Sequence, residues 1–120
     1  MENQSINPKV VIGVVAAIAF VAFIIWFIFM SNTPEYKYGQ KAVEDAKGAI
    51  FTADQYLDGK LDERQFERQL IPYKNKNVEY GDSTYEIYTK IKYMDDIAFT
   101  DYDILKYRNE LAELIGEKKR

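Results

Sequence analysis

The sequence predicts an all-α protein in which a single N-terminal transmembrane helix is followed by a small bundle of about four helices, arranged as two αα-hairpins. Residues 10–30 carry no charged or strongly polar side chain. Apolar residues after position 34 recur three and four places apart, which is the spacing of a helix with one buried face. No stretch shows the sustained alternation of a half-buried strand, so we expect no sheet.

The apolar segment 10–30 has the length of a membrane span. At about 1.5 Å per residue it forms a helix of roughly 31 Å, which matches the hydrocarbon core of a bilayer. A cleaved signal peptide has a shorter apolar stretch that ends at a small-x-small site. Ala17-Ile18-Ala19 has that form, but residues 20–30 behind it are all apolar. We therefore predict an uncleaved signal-anchor in a single-pass protein of the cell membrane, preceded by a short tail over 1–9.

The charges beside the span carry little information about its orientation. Lys9 precedes the span, whereas Lys37 and Lys41 follow it. The positive-inside rule counts only such flanking Lys and Arg residues. A short tail with a lysine next to the span is the usual form of an anchor whose C-terminal domain is exported. We expect an extracytoplasmic domain.

A very short linker separates the span from the rest of the chain. Residues 31–34 are Ser-Asn-Thr-Pro. Proline interrupts a helix and pushes the preceding residue toward extended geometry. Because four extended residues reach roughly 15 Å, we expect the helical bundle, residues 35–116, to act next to the bilayer surface.

The first bundle helix is predicted over 35–57. It stops at Asp58-Gly59, where Gly59 suits the left-handed position after a helix end. The helix has an alanine-rich apolar stripe that lets a neighbouring helix approach closely. The residues of this stripe are Ala42, Val43, Ala46, Ala49, Ile50, Ala53, Tyr56 and Leu57.

The second bundle helix is short and has a well-specified start. Asp62 and Gln65 have the spacing of a capping box, in which each side chain accepts a hydrogen bond from the backbone of the other residue. Leu61 and Phe66 occupy the positions of a hydrophobic staple across the same helix start. Ile71-Pro72 ends the helix, because proline cannot continue it.

The third bundle helix is predicted to begin at another capping box. Ser83 and Glu86 have the required spacing. Apolar residues then fall on one face of the helix at three- and four-residue intervals. They are Ile87, Ile91, Met94 and Ala98.

The fourth bundle helix is predicted to start at Thr100 as its cap, with Phe99 and Ile104 as a staple pair. Gly116 ends it, and we expect residues 117–120 to be a frayed basic tail. The buried face is predicted to contain Ile104, Tyr107, Leu111, Leu114 and Ile115.

Composition excludes several classes of function. The chain contains no cysteine and no histidine, so it lacks disulfides, thiolate metal sites, cysteine nucleophiles and the commonest general base. Sixteen basic and nineteen acidic residues give a net charge of −3, which provides no basic field for nucleic acid. We predict no enzyme, no cofactor and no nucleic-acid partner. The abundance of Lys, Asn, Ile and Tyr favours an AT-rich, bacterial genome.

An acidic cluster surrounds the last predicted turn. Asp95, Asp96, Asp101 and Asp103 are candidate ligands for calcium, which needs six to eight oxygen atoms. Their spacing is not that of an EF-hand loop. Acidic residues are also typical of the first turn of a helix. We predict no metal site and keep the four aspartates as weak candidates.

Two aromatic residues fall on otherwise polar helix faces. Phe51 lies opposite the apolar stripe of its helix, beside Gln40 and Glu44, and Tyr85 is similarly placed on the third bundle helix. Exposed aromatic residues are typical anchors for another protein, although single exposed apolar residues are also ordinary. We predict that Phe51 and Tyr85 contact a partner.

Arg108 falls inside the apolar stripe of the fourth helix, between Ile104 and Ala112. A buried arginine needs a carboxylate partner. Arg108 is therefore a candidate for a structural ion pair or for a contact with a partner protein. The interpretation we favour is an edge residue whose stem packs on the helix while its guanidinium group reaches water.

The span contains one small-xxx-small pair, Gly13 and Ala17. Small residues at this spacing let two membrane helices pack closely. Such pairs also arise by chance in any span rich in Ala, Gly and Val. A homodimer through this face is a possible assembly.

These observations favour a membrane-tethered interaction or scaffolding module, whose partners are the lipid bilayer and another membrane or surface protein. One alternative is a ligand- or metal-sensing envelope domain. A less favoured alternative is a hydrolase of cell-wall polymer, which needs two carboxylates facing a cleft. The loop 73–81 interleaves lysines and tyrosines and is a further candidate contact for glycans, anionic polymers or headgroups. Two lysines are few for an electrostatic site, and a solvated loop is the simpler interpretation.

Overall fold

A computed structural model describes residues 7–120, and this part of the chain is all-helical, without a strand. It divides into two compact units, one that ends at Thr33 and one formed by Pro34–Arg120. The predicted helical class is confirmed, whereas the arrangement as two hairpins is not confirmed. The six α-helices within residues 7–120 are α1 (Pro8–Ser31), α2 (Pro34–Tyr38), α3 (Gln40–Leu57), α4 (Glu63–Leu70), α5 (Tyr85–Asp96) and α6 (Asp101–Ile115).

Helix α1 contains the predicted apolar segment and begins two residues before it. The side chain of Asn7 accepts a hydrogen bond from the Lys9 backbone N–H at 2.9 Å, and Pro8 occupies the first helical position, where its missing N–H costs nothing. The helix has 24 residues, none of them buried. Within the described part of the chain it is the one helix long and apolar enough to cross a membrane. Most of the predicted tail, residues 1–6, lies outside the described residues.

A break at Gly39 divides the predicted first bundle helix into α2 and α3. Gly39 has φ of 89°, a conformation that residues with a side chain rarely adopt. Its N–H still donates to the carbonyl oxygen of Glu35 at 2.8 Å, so α2 closes before the chain turns into α3. The turn places Tyr38 in the core. The bundle therefore has five helices rather than about four.

The corner between α3 and α4 has the predicted helix end and capping box, whereas the staple of Leu61 and Phe66 stays a prediction. Gly59 has φ of 78°, and the N–H of Lys60 donates to the carbonyl of Gln55 at 2.9 Å, which is the long hydrogen bond of a Schellman motif. The capping box is also confirmed. Gln65 N–H donates to the Asp62 carboxylate at 2.8 Å, and Asp62 N–H donates to the Gln65 side chain at 3.0 Å.

The predicted capping box of the third bundle helix is wrong. Helix α5 begins at Tyr85, and Ser83 lies in the preceding turn rather than at the cap position. The carboxylate of Asp82 accepts both the N–H and the hydroxyl of Thr84, at 2.8 and 2.7 Å. A short acidic side chain that closes its own turn in this way competes with helix capping, so α5 starts later than predicted.

The corner between α5 and α6 confirms the predicted cap but not the predicted staple. Thr100 accepts a hydrogen bond from the Asp103 N–H at 3.2 Å, and the carboxylate of Asp103 accepts from the Phe99 N–H at 3.1 Å. Phe99 itself points into solvent and is 94% exposed. The adjacent Ala98 packs against the core in its place.

The predicted apolar stripes of the bundle helices meet in one core. Helices α3, α5 and α6 supply most of it, and α4 adds Phe66 and Leu70. A short 3-10 helix, Ile71–Tyr73, lies across α3. There the Tyr73 ring lies directly against Gly48, where an added Cβ atom would overlap with the ring carbons. The absence of a side chain at position 48 is what admits the ring.

Candidate functional site

Arg108 is buried, and the interpretation that its guanidinium reaches water is wrong. The residue is 7% exposed. Its Nε and Nη2 atoms donate to the two carboxylate oxygens of Asp54 on α3, at 2.8 and 3.1 Å. Nη1 donates to the Lys118 carbonyl at 2.6 Å. Arg108 thus forms the structural ion pair, and its contact with a partner protein stays a prediction.

The same charge network holds the last residues of the chain against the bundle. Arg120 donates to Asp54 at 3.1 Å and to Asp58 at 2.7 Å. Its backbone N–H donates to Asn109 at 2.9 Å. Residues 117–120 are therefore tied down rather than frayed. Partial burial by itself raises the pKa of the Asp54 carboxyl, but hydrogen bonds from Arg108 and Arg120 outweigh burial and leave that pKa below its ordinary value.

Tyr85 lies on the rim of a groove rather than alone on a polar face. It is half-buried, and its ring meets the Tyr80 ring edge to face at 5.3 Å. The groove has a volume of about 460 Å³ and runs between α5 and the segment 74–78. We call it the tyrosine–lysine groove. The residues that characterise it are Lys74, Lys76, Tyr85, Tyr88, Lys92 and Tyr93.

The lysines of the tyrosine–lysine groove differ in their pairing. Lys74 forms an ion pair with Asp95 and lies 3.7 Å from Asp96. The hydrogen bond to Asp95 raises the pKa of Lys74. Lys76 and Lys92 are exposed and form no ion pair with any residue of the range 7–120. Neither of these two lysines has an ionic partner among the described residues, and the three lysines exceed the neighbouring carboxylates of Asp95 and Asp96 by one positive charge.

The inner wall of the groove is fixed by a buried polar pair. The hydroxyl of Tyr88 donates to Asp45 at 2.6 Å, and Lys41 pairs with the same carboxylate at 2.9 Å. Burial, reinforced by the hydrogen bond to Asp45, raises the pKa of Tyr88. The phenol therefore stays protonated and oriented, and it serves as a rigid ring in the wall rather than as a base or a nucleophile.

The acidic cluster does not converge on one point. Asp95 faces Lys74, and Asp103 caps the start of α6. Asp101 lies against the hydroxyl of Tyr56, whose pKa is raised by burial and by this carboxylate. No group of three or more metal-ligating acidic side chains occurs in the described part of the chain. Asp95 and Asp96 both lie near Lys74, whereas Asp101 and Asp103 have other partners, which is unlike the shared oxygen cage that calcium requires.

An exposed aromatic corner at the same turn escaped the sequence analysis. It consists of Ile97, Phe99 and Tyr102, which are 44%, 94% and 74% exposed. The predicted staple places Phe99 against its helix, so the sequence pattern gives no indication that the ring is exposed. A signal was available in Tyr102, which lies outside the apolar stripe that contains Ile104 and Leu111.

The remaining predicted site residues are exposed and isolated. Phe51 is 62% exposed on the outer face of α3, as expected, and its contact with a partner stays a prediction. Gly13 and Ala17 lie on the exposed surface of α1, and a Cβ atom at Gly13 would meet nothing within 4 Å. Association through this pair likewise stays a prediction.

No protein-family model, curated protein or solved structure matches this chain.

Proposed function

We propose that the chain is a membrane-tethered protein-interaction module that binds another membrane or surface protein next to the bilayer. The apolar helix α1 supplies the tether. It rises about 36 Å over its 24 residues, enough to cross a hydrocarbon core. Only Asn32 and Thr33 separate it from α2, so the partner must itself be at the membrane.

The observation that carries this proposal is the aromatic corner. The side chains of Ile97, Phe99 and Tyr102 lie in a six-residue segment around one turn, and all three face solvent. Burial of one such side chain in an interface contributes about 1.5–3 kcal/mol, and aromatic residues are enriched among the residues that dominate binding. Phe51, by contrast, is a single exposed ring, which is ordinary on a monomer.

The charged residues beside the aromatic corner indicate which kind of partner surface it would fit. The corner is flanked by Asp96 and Asp101, which are exposed. An interface around Phe99 therefore fits an apolar pocket with a rim of Lys or Arg, because opposite charges at a rim speed and orient association. The same acidic flank argues against direct contact of this corner with anionic headgroups.

The test is a charge reversal at the corner. The tagged full chain is purified from membranes in detergent, and proteins that co-purify in fixed stoichiometry are quantified for the wild type, for Phe99→Glu with Tyr102→Glu, and for Phe51→Glu. We expect a partner that is retained by Phe51→Glu and lost from the double variant. A folded double variant that retains every wild-type partner would place the contact elsewhere, and loss in Phe51→Glu alone would move it to α3.

The tether is tested separately. Two arginines at the middle of α1, Ile18→Arg and Val21→Arg, cost about 2.5–3.5 kcal/mol each in a bilayer. We expect the wild type to resist alkaline extraction from membranes and the variant to be released. Extraction of the wild type would contradict a membrane anchor.

The exposed side is part of the proposal. We place the bundle outside the cytoplasm, because Lys9 lies directly before the apolar segment 10–30. Protease added to intact cells is then expected to cut the loop at Lys76, which is exposed. Protection in intact cells and cleavage after lysis would place the bundle inside.

A further inference from the structure

The tyrosine–lysine groove is positive on a chain that is negative overall. Three lysines and one aspartate line it, whereas the whole chain has a net charge of −3. Lys74 is compensated by Asp95 and Asp96. Lys76 and Lys92 form no ion pair within residues 7–120, and they lie on the two sides of the groove, one on the loop and one on α5. These two lysines attract a ligand that carries negative charge.

The groove is also extended and aromatic. Its α5 wall runs from Tyr85 through Tyr88 and Thr89 to Asp96, about 16 Å along the helix axis. The face of an aromatic ring is negative, so it attracts the polarised C–H groups on the face of a sugar ring. Thr89 and Asn75 add side chains that can hydrogen-bond to hydroxyl groups.

The tyrosine rings are held in place before any ligand arrives. Tyr85 is braced by Tyr80, and Tyr93 by the ring of Tyr107 at 5.4 Å. Tyr88 is fixed by its hydrogen bond to Asp45. Preformed pockets lose little conformational freedom on binding, and the volume of about 460 Å³ lies in the usual range for ligand sites.

We infer that the tyrosine–lysine groove binds an acidic oligosaccharide, with Lys76 and Lys92 on its charged groups and Tyr85 stacked on a sugar ring. A neutral sugar would form no ion pair with Lys76 or Lys92. A polyglutamate peptide would pair with the lysines but has no ring that could stack on the tyrosines. The groove ends at Asp96, next to Ile97 of the aromatic corner, but it includes none of the three side chains of that corner, so the inference does not depend on the proposed protein partner.

The test measures binding by the full chain in an uncharged polyoxyethylene detergent, with fluorescently labelled hexamers. The probes are hexagalacturonate, the neutral maltohexaose and hexaglutamate. We expect hexagalacturonate to bind at least about fivefold more tightly than either of the others, with affinity that falls as salt is raised. Absence of binding to hexagalacturonate, or equal binding of hexaglutamate, would overturn the inference.

Variants locate the site. Lys76→Gln with Lys92→Gln is expected to weaken binding of hexagalacturonate about fivefold or more. The matched control is Lys60→Gln with Lys118→Gln, which removes the same charge from exposed lysines outside the groove and is expected to leave the affinity within about twofold. Equal losses in the two pairs would mean that net charge alone is responsible, and the groove assignment would fail.

The stacking contact has its own pair of variants. Tyr85→Phe keeps the ring and is expected to leave the affinity within about twofold, whereas Tyr85→Leu removes it and is expected to cost about fivefold. Circular dichroism of each variant checks that α5 is intact. Equal affinities of the Phe and Leu variants would show that the ring takes no part in binding and would overturn its assignment.

Discussion

The two helix corners of the bundle share a capped helix start but differ in the burial of the apolar residue before the cap. At the α3–α4 corner, Leu61, the residue before the cap, is half-buried, and Phe66 in the first turn of α4 is buried, with its ring 4.8 Å from that of Tyr56. At the α5–α6 corner, the first-turn residue Ile104 is also buried, but Phe99, the residue before the cap, is 94% exposed. Each corner nevertheless has a side-chain cap at the start of its second helix.

The difference teaches that capping and packing are separate requirements. Hydrogen bonds to the first backbone N–H groups need only a local side-chain oxygen. Burial of the neighbouring apolar residue needs a surface on which to lie. The first corner turns through Gly59 in a Schellman motif, and α4 carries its aromatic residue back onto α3. The second corner turns without glycine, and Ala98 rather than Phe99 meets the core.

The largest expected effect on stability is that of a substitution at the α3–α4 corner. Phe66→Ala removes a buried ring and is expected to lower the free energy of unfolding by about 3–5 kcal/mol. The measurement is urea denaturation of the full chain in detergent micelles, followed by the near-ultraviolet signal of the tyrosines. A loss below about 1 kcal/mol would mean that the corner does not depend on this packing.

The next effect concerns the ring that follows α4. Gly48→Ala should raise helix propensity by about 1 kcal/mol, yet the added Cβ clashes with Tyr73. We expect a net loss of about 1–3 kcal/mol in the same assay. In a Tyr73→Ala background the clash is gone, and Gly48→Ala should become neutral or stabilising. A loss of equal size in both backgrounds would contradict the close approach.

Acid should weaken the end of α3 that leads into the first corner. The pKa of Asp54 is lower in the folded state than its ordinary value of 3.8. Its contribution to stability is therefore fully present above that value and is lost as the pH falls below it. We expect the stability difference between the wild type and Asp54→Asn to shrink between pH 6 and pH 3, measured by denaturant titration. A constant difference would contradict the ion pair with Arg108.

The smallest expected effect on stability is that of a substitution at the α5–α6 corner. Phe99→Ala makes the same chemical change as Phe66→Ala but at an exposed ring, so stability should change by less than about 0.5 kcal/mol. The same denaturation assay checks it. A loss near that of Phe66→Ala would show that Phe99 is buried in the protein as it exists in solution, and the aromatic corner would then not be a surface.

Local signals accounted for much of the fold. The cap at Thr100 and the box at Asp62 and Gln65 were predictable because both partners lie within three residues of each other. The Ser83 box was wrong because a nearer competitor, Asp82, closes the turn first. The break at Gly39 was missed because a glycine within a helical pattern is usually tolerated.

The candidate surfaces depended on distant residues and were mostly beyond the sequence. Arg108 looked like an edge residue until Asp54, on another helix, supplied its carboxylate partner. Lys74 and Lys92 belong to different elements, and only their packing places both beside Tyr85 in one groove. No spacing rule connects such positions.

The sequence by itself determined the long apolar helix, the helical class of the bundle, the buried stripes and two of the caps. These follow from backbone periodicity and from contacts within one turn, which any helix makes wherever it is placed. Tertiary structure decided which polar residues meet and which aromatic residues face solvent. The physical reason is that burial and charge pairing depend on how separate helices pack, so Phe66 and Phe99 differ in environment although each lies beside a well-capped helix start.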